Sequence, residues 1–282
     1  MALESTSISA VLEVGDGVPV LFVHGWEMNG HTEALDYEPI FSSISGYRRI
    51  YVDLPGMGST PADQIDDLDG VYRWLVNFID ERIGTSRFLI IGSSCGAYLA
   101  RALAQQYTAQ VDGLLLRVPL IEPDDSKRDL DPFRPLVQDD QLMNSVLPEE
   151  RTRLGDVLIQ TPAYLDALKQ RFDVGFSASE SANKEVLDKI RNDKQRYRLS
   201  VPIDQPFGAP TLIVAGRQDE SVGYRDSRRL LEQYSRSTYV VLDRGRHPLP
   251  IDDPERKLFE ALVRDWLYRV NEWRTFSRPQ SY

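Results

Sequence analysis

A single cysteine stands in the whole chain, so no internal disulfide can form and the fold has no need of an oxidising compartment. Histidine is nearly as scarce. His24, His31 and His247 are the only imidazoles from which a general base could be drawn. No apolar run reaches the roughly 20 residues that a membrane-spanning helix needs. The opening stretch MALESTSISAVLEVG has an acidic residue early and lacks the apolar centre of a secretory signal, which makes the cytoplasm the expected location. A basic stripe is missing too. With 33 Lys and Arg against 43 Asp and Glu the net charge is −10, so nothing here would neutralise phosphates and nucleic acid is excluded as a partner. Acidic clusters such as DDLD (66–69) and PDDSKRDLD (123–131) read as solvated loops or helix starts, and the acidity as a source of solubility.

What is present is an ordinary globular composition, 41% hydrophobic and 27% charged over 282 residues, sufficient for one large α/β domain with a smaller insertion. Short apolar runs rich in β-branched residues recur: ISAVLEV (8–14), VLFVHG (20–25), RRIYVDL (48–54), RFLIIGS (87–93), DGLLLRV (112–118), TLIVAG (211–216) and STYVVLD (237–243). Several are apolar at consecutive positions, as strands covered on both faces must be. Helical stretches are expected between them at about 67–83, 95–108, 224–234 and 254–271. In the first, Val71, Leu75, Phe78, Ile79 and Ile83 share one face and Gly84 closes the helix. Alternation of this kind predicts an open, doubly wound, mostly parallel sheet with helices on both faces. It fails once. Between Pro119 and about Phe207 no strand is visible, only helical patterns such as PAYLDALKQRF (162–172), and a structureless loop of that length is implausible. A helical insertion at 119–206 is therefore expected within a core made of 1–118 and 207–282.

The densest chemistry lies in LIIGSSCGAYLA (89–100), where a strand passes into a helix with almost no turn between them. Such a turn holds one residue in strained geometry and needs small neighbours on both sides. Two frames satisfy that spacing: Gly92-Ser93-Ser94-Cys95-Gly96 puts Ser94 at the tip, and Ser93-Ser94-Cys95-Gly96-Ala97 puts Cys95 there. Ser93 is excluded, because Ile91 would occupy a small position.

Together with this turn, VLFVHGW (20–26), YVDLPGMGST (51–60), LIVAGRQDESV (212–222) and GRHPLPIDDPE (245–255) resemble, in order and spacing, the motifs of the α/β-hydrolase fold family. The resemblance extends over nearly the whole chain, with the helical insertion where that family places its cap. It implies the register of LIIG and GAYLA around Ser94, and so Ser94 as nucleophile. The family order Ser…Asp/Glu…His implies His247 as general base and Asp219, in the Gly-x-x-Asp pattern after Gly216, as the acid that orients it. Glu220 is in the wrong register, and Glu122 and Asp124 occupy the family's alternative acid location. Backbone N–H groups of Trp26 and Cys95 are implied as oxyanion donors. His24 is expected to be structural, and His31 has no counterpart.

Serine at the tip disfavours the dehalogenase and epoxide-hydrolase branches, which carry Asp there, and Cys95 departs from the Trp usual in proline iminopeptidases. The expected reaction is hydrolysis of a small ester or lactone through an acyl-serine, with no cofactor or metal. Carbon–carbon bond hydrolysis, lyase chemistry and a slow, receptor-like member of the fold are the alternatives. Phe133, Tyr164, Phe172 and Phe176 are either pocket walls or the core of the insertion.

Overall fold

The protein is described by a computed structural model covering residues 11–63 and 65–276. Its seven strands are β1 (Val11–Val14), β2 (Val18–Val23), β3 (Tyr47–Val52), β4 (Phe88–Ser93), β5 (Val111–Arg117), β6 (Thr211–Gly216) and β7 (Ser237–Leu242), in the sheet order β1-β3-β2-β4-β5-β6-β7. Only the edge strand β1 is antiparallel; every other neighbouring pair is parallel. The first apolar run of the sequence begins at residue 8, so its start lies outside the described residues. The central strands β4, β5 and β6 are buried at every position, which is why they read as unbroken apolar runs rather than as alternation.

Among the described residues eight α-helices cover the faces and fill the break in the alternation: α1 (Gly30–Phe41), α2 (Leu68–Arg82), α3 (Cys95–Gln106), α4 (Asp140–Ser145), α5 (Pro148–Leu154), α6 (Pro162–Glu180), α7 (Lys184–Arg191) and α8 (Asp253–Phe276). Helix α2 buries the predicted face of Val71, Leu75, Phe78 and Ile79. Its start is capped by the Asp67 carboxylate, which accepts from Gly70 N–H at 2.7 Å, and Gly84 ends it at φ +60° with its N–H donating to Ile79 O at 2.9 Å. The stretch expected as a helix at 224–234 forms a 3₁₀ turn at Asp226–Glu232 instead. Helix α1 has no counterpart among the expected helices, for a reason visible in its buried face: that face includes Thr32, Glu33 and Asp36, so hydrophobic periodicity is silent there.

The segment between β5 and β6 packs in two ways. Val146, Leu154, Leu158, Tyr164, Leu165 and Leu168, from α4 through α6, form a small core of their own with Ile251. Leu187 and Ile190 of α7, with Tyr197 and Leu199, join the main core. Two backbone bonds fasten this second half to the loop after β3 and to the start of α2, Asn183 N–H to Gly56 O at 2.7 Å and Leu68 N–H to Arg196 O at 2.8 Å. Among the described residues no helix is long and apolar enough to cross a membrane.

Candidate active site

In an open parallel sheet the loops at the carboxyl ends of the strands gather at one edge. Here the loops after β2, β4, β5, β6 and β7 bring Gly25–Trp26, Ser94, Val118, Asp219 and His247 to that edge. Ser94 adopts φ 54°, ψ −119°, a left-handed conformation that costs a non-glycine residue about 1–3 kcal/mol. The small neighbours are sterically required. A Cβ on Gly92 would stand 2.5 Å from Gly96 O, and one on Gly96 would stand 2.1 Å from Val23 O. Because the strained residue is Ser94 and α3 begins at Cys95, the frame Gly92–Gly96 is the one the backbone adopts. Glu27 (φ 58°) and Val118 (φ 41°) are the other two non-glycine residues with positive φ among those described, and both belong to loops at this edge.

The three consecutive side chains of the turn point to three different partners. Ser93 Oγ receives a hydrogen bond from Arg117 Nε and donates to Glu33 Oε2, each at 2.9 Å. Ser94 Oγ lies 3.0 Å from His247 Nε2. The Cys95 thiol is buried and hydrogen-bonded to Tyr197, and burial pushes its pKa up to about 11. It is therefore a thiol, not a thiolate, at neutral pH.

His247 Nδ1 lies 2.9 Å from Asp219 Oδ2, while the other carboxylate oxygen accepts backbone N–H groups from Ser221 at 2.8 Å and Val222 at 3.0 Å. Burial alone would raise the pKa of this nearly inaccessible carboxyl. The adjacent imidazole and the two N–H donors outweigh burial and hold it below the ordinary Asp value. An ionised Asp219 can only accept, so Nδ1 carries the proton and Nε2 is left free to accept from the Ser94 hydroxyl.

The other candidates lie elsewhere. Glu122 Oε1 accepts from Asp124 N–H and Arg198, and Asp124 is engaged with Ser126 and Lys194. Glu220 pairs with Arg246. His31 is exposed at the start of α1. His24 is fully buried; its Nε2 accepts from Leu54 N–H at 2.9 Å and its Nδ1 lies 2.7 Å from Gly25 O, which fixes the ring as a neutral donor–acceptor.

Burial lowers the His24 pKa from 6.5 to about 4. The unfolded chain therefore takes up a proton that the fold refuses, and the stability contributed by the neutral ring is present above pH 6.5 and lost as the pH falls toward about 4. Between about pH 7.5 and pH 5 the wild type should lose about 2 kcal/mol more unfolding free energy than His24→Asn, measured by urea titration. Equal losses in the two proteins would contradict this assignment.

A cavity of about 560 Å³ opens over Ser94 and His247. That is ample for a small organic substrate. Phe172, Val174 and Phe176 of α6 form one wall, Val118, Leu120 and Val222 another, and Trp26 a third, its ring standing edge-on to Tyr197 at 5.1 Å. Phe133 and Tyr164 do not line it; Tyr164 lies in the separate core of the insertion and Phe133 packs against that core. Five arginines do line it, Arg117, Arg128, Arg171, Arg191 and Arg246, and sequence reasoning had singled out none of them. The one signal for Arg117 is a charge at the end of the buried apolar strand DGLLLRV.

The family model for the alpha/beta hydrolase fold matches residues 18–254. The chain belongs to the α/β-hydrolase fold family. Over 103 residues it is 37% identical to the pimeloyl-[acyl-carrier protein] methyl ester esterase of Shewanella woodyi, a match spanning 36% of each chain and hence only about a third of that esterase. It is 26% identical to monoacylglycerol lipase ABHD6 of Mus musculus over 79% of this chain and 68% of the lipase. Among solved structures, an alpha/beta superfamily hydrolase from Oenococcus oeni PSU-1 superposes with a TM-score of 0.79 at 28% identity, covering 93% of this chain and 96% of that one. The mostly parallel sheet with helices on its faces is the architecture the motifs led one to expect.

Proposed function

We propose that the chain is a serine hydrolase that cleaves a small ester or lactone through an acyl-serine on Ser94. One observation carries the reading: the unbroken hydrogen-bonded chain Ser94–His247–Asp219, with the serine in strained geometry at the floor of a cavity. The esterase and the lipase named above support it, since both are named for ester substrates.

In the proposed mechanism Ser94 Oγ attacks the ester carbonyl carbon while His247 Nε2 takes its proton, and the ionised Asp219 stabilises the resulting imidazolium. The carbonyl oxygen becomes an oxyanion. As the first residue of α3, Cys95 has an N–H with no partner within its helix. The Gly25–Trp26 loop runs close to the nucleophile, since a Cβ on Gly25 would stand 3.3 Å from Ser94 Cβ and 3.8 Å from its Oγ, which supports the Trp26 N–H as the second donor. These two N–H groups serve as the oxyanion hole, each contributing about 3 kcal/mol to the transition state. Collapse of the tetrahedral intermediate breaks the C–O bond, and His247 returns the proton to the leaving alcohol. Water, deprotonated by the same Nε2, then attacks the acyl carbon; the bond to Ser94 Oγ breaks, His247 returns the proton to that oxygen, and the acid leaves.

Residues 119–206 act in this reading as the cap that selects the substrate, with α6 as its working face. A panel of p-nitrophenyl esters of graded acyl length tests it. Phe172→Ala and Phe176→Ala should change the ranking of the esters several-fold while leaving labelling by a small fluorophosphonate within about threefold, because their rings line the cavity and take no part in the hydrogen-bonded triad. Tyr164→Leu should lower the melting temperature and leave the ranking alone. A uniform loss across all esters in the folded Phe variants would show that α6 supports the triad and does not select substrates.

A further inference from the structure

Ser93, one residue before the proposed nucleophile, carries a buried hydroxyl that the reaction does not use. It is closed into a ring. Arg117 Nε donates to Ser93 Oγ at 2.9 Å, Ser93 Oγ donates to Glu33 Oε2 at 2.9 Å, and Arg117 Nη2 donates to Glu33 Oε1 at 2.8 Å. All three side chains border the cavity, yet the polar atoms of Ser93 and Glu33 are occupied within the ring. A second carboxylate, Asp36, braces the arginine from behind through Nη1 and is itself held by Arg171 of α6 at 2.8 Å and Arg256 of α8 at 3.4 Å.

Arg117 grips the turn twice. Its side chain holds Ser93, and its backbone carbonyl accepts Ser94 N–H at 2.9 Å. Stability alone does not account for this, since a buried charge cluster is on balance no more stabilising than apolar packing of the same volume. What the ring supplies is direction. It fixes the residue on one side of a strained φ, and the aim of the Ser94 hydroxyl depends on the peptide plane that joins the two serines.

We propose that the Glu33–Ser93–Arg117 ring is a positioning device for the Ser94 hydroxyl, acting on the rate of acylation and not on substrate binding. The inference rests on the reading of Ser94 as nucleophile. Stopped-flow labelling by a small fluorophosphonate yields kinact and KI separately, and would be run on wild type, Ser93→Ala, Ser93→Thr, Glu33→Gln and Ser94→Ala. Misplacing a reacting atom by a fraction of an ångström slows chemistry on the order of 10-fold to 100-fold, which is the fall in kinact expected for Ser93→Ala and Glu33→Gln, with KI within about twofold. Ser93→Thr restores the hydroxyl and should recover most of the rate. Glu33→Gln preserves shape and answers the question even where the serine variant fails to fold.

Values of kinact within about twofold of wild type in both variants, or a change confined to KI, would overturn the proposal. So would a loss of melting temperature with kinact per folded molecule unchanged. Labelling of Ser94→Ala at the wild-type rate would instead remove the nucleophile on which the inference rests. Loss of labelling in Ser94→Ala with wild-type rates in the ring variants removes the positioning role alone.

Discussion

Ser94→Ala should abolish ester hydrolysis, a fall on the order of a million-fold, whereas Cys95→Ala should keep most of the wild-type rate. The contrast follows from where two adjacent side chains go. The Ser94 hydroxyl is 3.0 Å from His247 Nε2, in reach of the base that must take its proton. The Cys95 thiol is 1% exposed, hydrogen-bonded to Tyr197 and kept protonated by burial. A buried thiol without a base beside it does not attack esters, and the contribution of residue 95 is its backbone N–H, which alanine retains. The measurement is kcat and KM on a short-chain p-nitrophenyl ester for both variants, with circular dichroism to confirm folding. A dead Cys95→Ala, together with block of the wild type by iodoacetamide, would transfer the nucleophile to cysteine.

Asp219→Asn should lower kcat by about 10⁴-fold, with KM little changed. One oxygen of the carboxylate already accepts two backbone N–H groups, from Ser221 and Val222. An asparagine must put its carbonyl oxygen there, because its amide would clash with those donors. Its NH₂ group then faces His247 Nδ1, which is forced to accept, so the ring proton moves to Nε2 and points at Ser94. The serine thereby loses its base without losing its geometry. His247→Ala should cost at least as much. Glu122→Gln should stay near wild type, since that carboxylate serves Asp124 N–H and Arg198. A crippled Glu122→Gln beside an active Asp219→Asn would place the acid after β5 instead of β6.

The parts of this site that repeat a local steric rule were legible from the residues. The small residues of LIIGSSCGAYLA narrow the turn to two frames, 92–96 and 93–97, and the family resemblance selects the first, where both glycines are required by contacts under 3 Å with neighbouring backbone. The strands were legible because burial on both faces demands consecutive apolar residues. Asp219 and His247 could be assigned from family motifs, but only the fold shows that loops 28 residues apart in sequence meet at 2.9 Å. Helix α1 escaped because its inward face is charged: Glu33 and Asp36, one turn apart, are satisfied by Arg117, which is remote in sequence. Pairing of buried charges across distant segments leaves no periodic trace, so the ring around Ser93 could not be read without the structure. The same holds for the aromatics of the insertion, where Phe176 borders the cavity, Phe172 both borders it and packs against the separate core, and Phe133 and Tyr164 pack with that core alone.

The most direct test of the account is the identity of the atom that becomes acylated. Fluorophosphonate-treated protein, digested with trypsin, yields the peptide 88–101, which contains Ser93, Ser94 and Cys95 together, and fragmentation separates the three. The account predicts one adduct per chain, on Ser94, absent from His247→Ala and blocked by a competing short-chain ester. An adduct on Cys95 or Ser93, or ester turnover by a protein that carries no label on Ser94 after exhaustive treatment, would contradict it.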